Sequence, residues 1–398
     1  MTFDDVQFVP PSLVASTQIL APGDIAVCMS NGSKSLVGKC APYTETAAPP
    51  HTVGAFCSIF KPHETDDADF VLQLFRSETY QQIVDLALAG SAINNLKNSS
   101  IETAVFKIPV KRDYRRRIAL ILRGIDTAIE KTEALIDKYQ RIKTGLMHDL
   151  FTRGVLPDGQ LRPRRDEAPA LYRKSVVEWV PAEWEVSGLS TKGRPGTQWI
   201  RTGPFGSSLK GEHWRQYGRP VITIGALGVG EFIESDLLFV SEEDARRLAD
   251  FQLVGGDVVF SRVADVGRSV VVRDDHVGWI MSSNLMRIAV DATLVRPDFL
   301  QMLLAGDARV KAQIRMLVNS GGRDVANSDV LNRLRFAWPS PGEQDRIIAA
   351  CDRVVARVNG ESRRLVKLQA KKLGLMQDLL TGKVPVKVDE PVAETADA

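Results

Sequence analysis

The sequence predicts an α+β protein in which a mixed domain, a long helix, a second mixed domain and a second long helix follow one another. Two observations predict it: a gap-free repeat of helical character, and a weaker likeness between the stretches that precede its two copies. The repeat runs from Arg117 to Thr152 (RIALILRGIDTAIEKTEALIDKYQRIKTGLMHDLFT) and returns from Arg346 to Thr381 (RIIAACDRVVARVNGESRRLVKLQAKKLGLMQDLLT). The offset is 229 positions at both ends, from 117 to 346 and from 152 to 381. Gly145-Leu146-Met147-x-Asp149-Leu150-x-Thr152 reappears as Gly374-Leu375-Met376-x-Asp378-Leu379-x-Thr381, and Arg117-Ile118, Lys138, Gln140 and Lys143 also recur. A long segment repeated at such an interval marks two copies of one unit.

Within each copy the apolar residues return at spacings of four and three. Ile118, Leu122, Ile125, Ile129, Ile136, Tyr139 and Leu146 form one stripe, interrupted at Thr132. Ile347, Cys351, Val354, Val358, Leu365, Leu368 and Leu375 form the other, interrupted at Glu361. A seam that narrow calls for a partner helix rather than a broad core, and the opposite faces carry the Arg, Lys, Glu and Gln of a solvated helix. At about 1.5 Å per residue each helix reaches about 50 Å. Two unrelated surface helices would not share GLMxDLxT, which lies partly off the stripe.

The domains follow from what surrounds the helices. Residues 1–110 read as a mixed domain: a turn and strand over Ala21–Cys28, a turn at Asn31-Gly32-Ser33-Lys34, a helix over Asp69–Leu88, a polar loop over Gly90–Asn98 and a short strand over Ala104–Pro109. The first long helix occupies 111–152. Residues 153–179 are predicted to be a linker, Pro- and Arg-rich and too polar to bury. The second domain spans 180–340 with a helix at Pro297–Leu303, the second long helix 341–382, and residues 383–398 form an acidic tail of disordered composition. The two domains are related. Pro22-Gly23-Asp24-Ile25 matches Gly255-Gly256-Asp257-Val258, Asp69-Phe70 matches Asp298-Phe299, Gly90–Asn94 falls opposite Gly321-Gly322-Arg323, and Val105–Pro109 matches Arg335–Pro339.

Composition narrows the function. A hydrophobic content of 44% can fill a core in each domain, and no run of 18 apolar residues and no leader pattern is present, so the reading is a soluble, cytoplasmic chain. Cys28, Cys40, Cys57 and Cys351 lack CxxC spacing and read as reduced packing residues. A net charge of +2 does not by itself mark a nucleic-acid binder. Basic residues nevertheless cluster at Lys111, Arg112 and Arg115–Arg117, and again at Arg162, Arg164, Arg165, Arg173 and Lys174. Five histidines without HExxH or paired spacing predict no metal. Gly32–Cys40 has the wrong glycine spacing, and a Cys in place of the Ser or Thr of a phosphate loop. No catalytic residue is predicted.

The polar loops instead suit DNA. Ser207, Ser208 and Lys210 offer small donors and a cation, and Ser261, Arg262 and Arg268 place guanidinium groups on a strand and turn. Asn319, Arg323 and Asn327 supply the amide and guanidinium chemistry that reads adenine and guanine edges. In the first domain Lys34, Asn94 and Lys97 occupy the comparable loops. A stand-alone DNA-processing enzyme and a coiled-coil adaptor that does not read DNA are the competing readings.

At these residues the chain resembles the specificity subunits of type I restriction-modification enzymes. The carriers are the alternating order, Ile129–Ile136 (IEKTEALI), Tyr139–Lys143 (YQRIK), the GLMxDLxT tails, Gly203–Lys210 (GPFGSSLK) and Pro341-Gly342-Glu343-Gln344 before the second helix. The resemblance covers about residues 1–385. It implies two target recognition domains, each reading half of a split double-stranded DNA target, separated by two long helices that form an antiparallel coiled coil. It implies no catalysis and no bound cofactor in this chain. Its partners would be two modification subunits, which methylate adenine using S-adenosylmethionine, and restriction subunits that translocate and cut DNA with ATP. Leu146, Met147, Leu150, Leu375, Met376 and Leu379 of the repeated tails are the expected contacts to those subunits. Two departures stand out. The first domain has no counterpart of residues 180 to about 238, and Arg115-Arg116 stands in the first copy where Glu343-Gln344 stands in the second.

Overall fold

The computed structural model of the protein describes residues 6–44, 50–63, 67–89, 94–205, 208–263, 265–319 and 325–387, the side chain of Asn319 excepted. In chain order the elements are β1 (Ile25–Cys28), β2 (Cys40–Pro42), β3 (Cys57–Phe60), α1 (Ala68–Leu74), α2 (Glu78–Ala89), α3 (Asn98–Glu102) and the long α4 (Arg112–Thr152). Then come β4 (Tyr172–Ser175), β5 (Glu178–Pro181), β6 (Glu185–Ser187), β7 (Ile200–Thr202), β8 (Arg219–Ile222), β9 (Leu238–Val240), α5 (Glu242–Arg247), β10 (Val258–Ser261), β11 (Ser269–Val271), β12 (Ile280–Met281) and β13 (Leu285–Ile288). Last are α6 (Pro297–Gly306), α7 (Ala308–Asn319), α8 (Ser328–Arg333), β14 (Phe336–Trp338) and the long α9 (Pro341–Leu379). Two compact units result, Met1–Asp137 with Gly360–Ala398, and Lys138–Asn359, so each long helix contributes a segment to both.

In the first unit β1 is the central strand, antiparallel to β2 and β3. Its Ile25 and Val27 are buried with Tyr80, Val84 and Leu88 of α2. The turn that launches β1 is built from sequence: the Asp24 carboxylate accepts the amide of Ala21 at 2.8 Å, and Gly23 sits at φ +95°, where a side chain is strained. The turn before β10 repeats the device, with Asp257 accepting from the amide of Val254 at 2.9 Å and Gly256 at φ +81°. Lys61 lies 3.1 Å from Asp24, and Arg194 lies 3.0 Å from Asp257. Burial pushes the Asp257 carboxyl above the usual aspartate range. The predicted single helix over Asp69–Leu88 is two helices, because the Ser77 hydroxyl donates to the carbonyl of Leu74 and accepts from the amide of Tyr80, interrupting the ladder.

The second unit pairs β10 with β11 and β13, and β13 with β7, in one antiparallel four-stranded sheet. The order β11-β10-β13 matches β2-β1-β3 of the first unit, and β7 is added at the edge. A three-stranded sheet, β12-β8-β9, and the pairs β14–β6 and β4–β5 complete it. Val258 and Phe260 of β10 face a core with Phe299, Leu300 and Leu303 of α6, while Val259 faces a second core with Ile222, Met281 and Leu285. The alternation is that of a strand buried on both faces.

The helices pair as their spacing requires. In the first unit Ile118 and Leu122, near the start of α4, pack with Met376 and Leu379, near the end of α9. In the second, Leu146 and Leu150 share a core with Ile347 and Cys351, near the start of α9. The directions are opposed, so the pair is antiparallel. Ile118, Leu122 and Ile347 are buried, and Ile125, Ile129, Ile136, Tyr139, Val354, Val358, Leu365 and Leu368 are half-buried. Thr132 is buried in the stripe because its hydroxyl donates to the carbonyl of Ala128 at 2.8 Å. Asp126 of α4 is held by Gln73 and Lys372 at 2.9 and 2.6 Å.

Three expectations are corrected. Of the tail residues, Leu150, Met376 and Leu379 are buried in the cores of their own units and are spent on packing within the chain, while Leu146, Met147 and Leu375 are half-buried against them. Residues 153–179 are not a bare linker. Val155 and Arg162 are buried, and β4 pairs with β5; burial of Arg162 is possible because Glu343 and Glu183 neutralise it. Val105–Pro109 forms no strand. Its counterpart β14 is paired by β6, and no described residue of the first unit takes that place. Of the acidic tail, 388–398 lie outside the described residues.

The entrances to the long helices are built differently. Glu343, on the first turn of α9, accepts from the amide of Val155 at 2.9 Å and from Arg162 Nη1 at 2.8 Å, and its other oxygen accepts from the indole of Trp184 at 3.1 Å. Trp184 packs over Gly154, where a Cβ would come within 2.6 Å of the ring. Gln344 accepts from the amide of Arg296 at 2.8 Å and donates to the carbonyls of Leu294 and Pro339. The gap-free register corrects the expected pairing by one residue: Tyr114 and Arg115, not Arg115 and Arg116, stand opposite Glu343 and Gln344. There Arg115 forks onto Asp67 at 3.2 and 2.8 Å and donates to the carbonyl of Val110.

Candidate nucleic-acid interface

One end of the four-stranded sheet gathers the polar loops of the second unit. Because β10 runs antiparallel to β13 and β13 to β7, the end of β10, the start of β13 and the end of β7 lie side by side. Gly203 makes the close approach possible: a Cβ there would collide with the backbone of Ser282. The amide of Arg262 donates to the carbonyl of Asn284 at 3.0 Å, and the carbonyl of Arg262 accepts from the amide of Ala326 at 2.8 Å. The Arg262 side chain then binds the loops together. Its Nε donates to the carbonyl of Ala326 at 3.0 Å, its Nη1 to that of Ser283 at 2.9 Å, and its guanidinium lies 5.3 Å from the ring centroid of Phe205. Burial pulls its pKa below the ordinary guanidinium value, yet an arginine stays cationic at neutral pH.

This geometry revises several sequence expectations. Arg262 has Nε and Nη1 committed to carbonyls and acts as a clamp, not as a fork held out to guanine. Ser261 is fully buried with its hydroxyl donating to the carbonyl of Val263 at 2.7 Å. Arg268 is half-buried, its Nη2 donating to the carbonyl of Ile224 at 3.1 Å. Asn327 caps α8, its side-chain oxygen accepting from the amide of Val330 at 3.0 Å. Ser208 and Lys210 are tied toward α5: Arg247 donates to the carbonyl of Ser208, and the amide of Lys210 donates to His213, whose ring lies 4.0 Å from Asp244. The Lys210 side chain is exposed. Ser207 and Arg323 lie outside the described residues, as does the side chain of Asn319.

Sequence reasoning passed over Phe205, 61% exposed beside Arg262, and Asn284, exposed on the loop that Arg262 holds. A large aromatic between glycines in a polar loop was the signal for the first; nothing local marked the second. An exposed ring gives a stacking or wedging surface, and an exposed amide can pair with adenine.

The first unit ends its central strand in the same way. The carbonyl of Met29 accepts from the amide of Leu96 at 2.7 Å, just as that of Arg262 accepts from Ala326. Asn94 donates to the carbonyl of Gly32 at 3.2 Å, joining the two loops, and Lys34 and Lys97 are exposed beside them in sequence. Among the described residues there is no group of His, Cys, Asp or Glu that could hold a metal, and no helix is long and apolar enough to cross a membrane. His213 and His276 accept backbone amides within turns, and His51 bonds to Tyr43 at 2.9 Å.

No protein-family profile matches the chain. Among curated relatives, it is 23% identical over 395 residues to the type I restriction enzyme EcoKI specificity subunit of Escherichia coli K12, covering 94% of this chain and 77% of the relative. To the StySPI specificity subunit of Salmonella potsdam it is 29% identical over 364 residues, covering 88% and 72%. Among solved structures, the specificity subunit from M. genitalium matches with a TM-score of 0.54 at 12% identity, covering 92% of this chain and 84% of that one. A chain from a type I restriction-modification system, described for its complex assembly and conformational transition, matches equally with a TM-score of 0.54 at 13% identity. These matches extend over both units and both long helices, the arrangement of a two-domain protein with a helical connection. Along most of its length, then, the chain is similar to the specificity subunits of type I restriction enzymes.

Proposed function

We propose that the chain reads a split double-stranded DNA sequence, one half by each unit, within a cytoplasmic type I restriction-modification complex. It carries no catalysis and binds no cofactor. It scaffolds two modification subunits, which methylate adenine with S-adenosylmethionine, and restriction subunits where the system has them. The observation that carries this reading is the repeated loop-bearing end of the central sheet, with its Met29–Leu96 and Arg262–Ala326 hydrogen bonds. Two similar readers on one chain require two half-sites.

The test is to map methylated adenines in a genome with the modification subunit expressed alone and with this chain added. The expected result is a bipartite motif with a fixed gap, present only with the chain. A contiguous motif, or methylation unaffected by the chain, overturns the reading. In the same assay Arg262→Ala removes two charge-assisted hydrogen bonds, worth about 1.5–3 kcal/mol each, that hold the reading loops. Methylation at the cognate site is expected to fall on the order of tenfold while the complex still assembles.

A further inference from the structure

Strand register in the first unit brings together two cysteines that the sequence keeps far apart. β1 and β3 run antiparallel with Cys28 directly opposite Cys57. The surrounding hydrogen bonds fix the kind of rung. One residue on, the amide of Met29 donates to the carbonyl of Phe56 at 2.8 Å. The amide of Cys28 instead donates away from β3, to the carbonyl of Lys39 at 2.9 Å, and its carbonyl accepts from the amide of Gly38 at 2.8 Å. The amide of Cys57 likewise turns to the carbonyl of Gly54, at 2.9 Å. Cys28 and Cys57 are therefore a non-hydrogen-bonded pair, the arrangement in which opposite side chains stand closest, with Cα atoms about 4.5 Å apart. A disulfide spans Cα separations of about 4.4–6.8 Å. Both thiols are free and half-buried. Burial, and then the adjoining Cys28 sulfur, raise the Cys57 thiol above its ordinary value. The Cys28 thiol has only a weak bond to give up, 3.6 Å to the carbonyl of Ser30. The other cysteines are placed apart from this pair. Cys40 stands opposite Val27 and packs with it on the core over α2, so Cys28, the next residue of the strand, lies on the other face. Cys351 is buried in the core of the second unit.

We infer that Cys28 and Cys57 form a dithiol modification site whose substrate is a low-molecular-weight disulfide. The thiolate of one cysteine attacks a sulfur of the reagent and expels one small thiol, leaving a mixed disulfide. The second cysteine gives up its proton and attacks the protein sulfur of that adduct, which forms the Cys28–Cys57 bond and expels the second small thiol. Two protein S–H bonds are thus exchanged for one S–S bond, and the two electrons and two protons that the protein loses are taken up by the reagent. In the cytoplasm proposed for this chain such bonds are transient and serve redox sensing, so the free thiols are the resting form. The bond ties β3 to the end of β1, one residue before Met29, whose carbonyl holds the amide of Leu96. Thiol state is thereby coupled to the loop-bearing end of the first unit.

The test equilibrates the full chain with reduced and oxidised glutathione in varied ratio, quenches the exchange with acid, and counts free thiols after unfolding. The chain has four cysteines, and the count is expected to fall from four to two as the mixture becomes more oxidising. Peptide mapping should place the new bond between Cys28 and Cys57 and leave Cys40 and Cys351 open to alkylation. Excess reduced glutathione should restore all four thiols. Cys28→Ser and Cys57→Ser should each stop at a mixed disulfide, with one glutathione on the remaining cysteine of the pair. Amide exchange at Met29 and at Ser58–Phe60 should slow on oxidation of the unaltered chain. A count that stays at four, glutathione adducts at both cysteines without a bond between them, or a bond joining either one to Cys40 or to a second chain overturns the inference.

Discussion

The two helix entrances occupy equivalent positions and are secured by opposite chemistry. In the second unit an anionic Glu343 collects three donors, and a neutral Gln344 holds the backbone of Arg296. In the first unit the position of Gln344 is taken by Arg115 and the position of Arg296 by Asp67, which pair directly. Residues 67 and 296, and 115 and 344, differ by the same 229 positions as the helices. What the duplication has kept is a link from the first turn of a long helix to the residue just before α1 or α6. The atoms that make the link have changed together at both ends. The difference teaches that repeat likeness is best sought in paired positions, since neither half of the pair is alike when read alone.

The contrast also ranks the consequences of breaking each entrance. Glu343→Leu leaves Arg162 with only the exposed Glu183 to neutralise it, and leaves the amide of Val155 and the indole of Trp184 without an acceptor. Loss of one partner of such a buried pair costs about 3–5 kcal/mol. Urea denaturation should register a drop of that size in the transition of the second unit, and a loss under about 1 kcal/mol would show that the carboxylate is dispensable. Arg115→Ala in the first unit should cost less, about 1–2 kcal/mol, because Asp67 and Arg115 each keep some contact with water. Exchanging the pair, Arg115→Asp with Asp67→Arg, should recover part of that loss; no recovery would mean that the backbone contact to Val110 matters more than the ion pair.

The smallest effect separates the units by pH. Asp345 is held below the usual carboxylate range by the hydrogen bond from Arg296, and the first unit carries Arg116 at the aligned position. A carboxyl with a lowered pKa contributes stability that is full above its unfolded value, near 3.9, and is lost as pH falls through the lowered one. Both side chains are substantially exposed, so the contribution is a few tenths of a kcal/mol at most. Asp345→Asn should flatten the acid limb of the second unit's stability curve by that small amount and leave neutral pH almost unchanged.

How much of this was legible in the sequence depends on where the information lies. The helical seam was legible because spacing reports burial directly: Ile118, Leu122, Ile347 and Cys351 are the buried points of their stripes. The launching turns were legible because an Asp after a glycine needs only its own neighbours. The GLMxDLxT tails were recognised as a repeat, but spacing cannot say whether Leu150 and Met376 are covered by their own chain, as they are here, or by another. The roles of Arg262 and Glu343 were out of reach for a related reason. Whether Arg262 faces solvent or binds carbonyls is decided by residues 283 and 326, and the partners of Glu343 lie at 155, 162 and 184. Composition also misled at 153–179, where polarity suggested a linker, while paired charges let Arg162 enter the core.

The division of the long helices between the units has a consequence during synthesis. The second unit is one continuous run, Lys138–Asn359, and can close as soon as that run has left the ribosome. The first unit is assembled from two pieces, and Ile118 and Leu122 must wait for Met376 and Leu379 to cover them. At about 5–20 residues per second the interval is roughly 13–52 s. Domains usually mature from the amino end first; the two-piece make-up of the first unit predicts the reverse order for these two units.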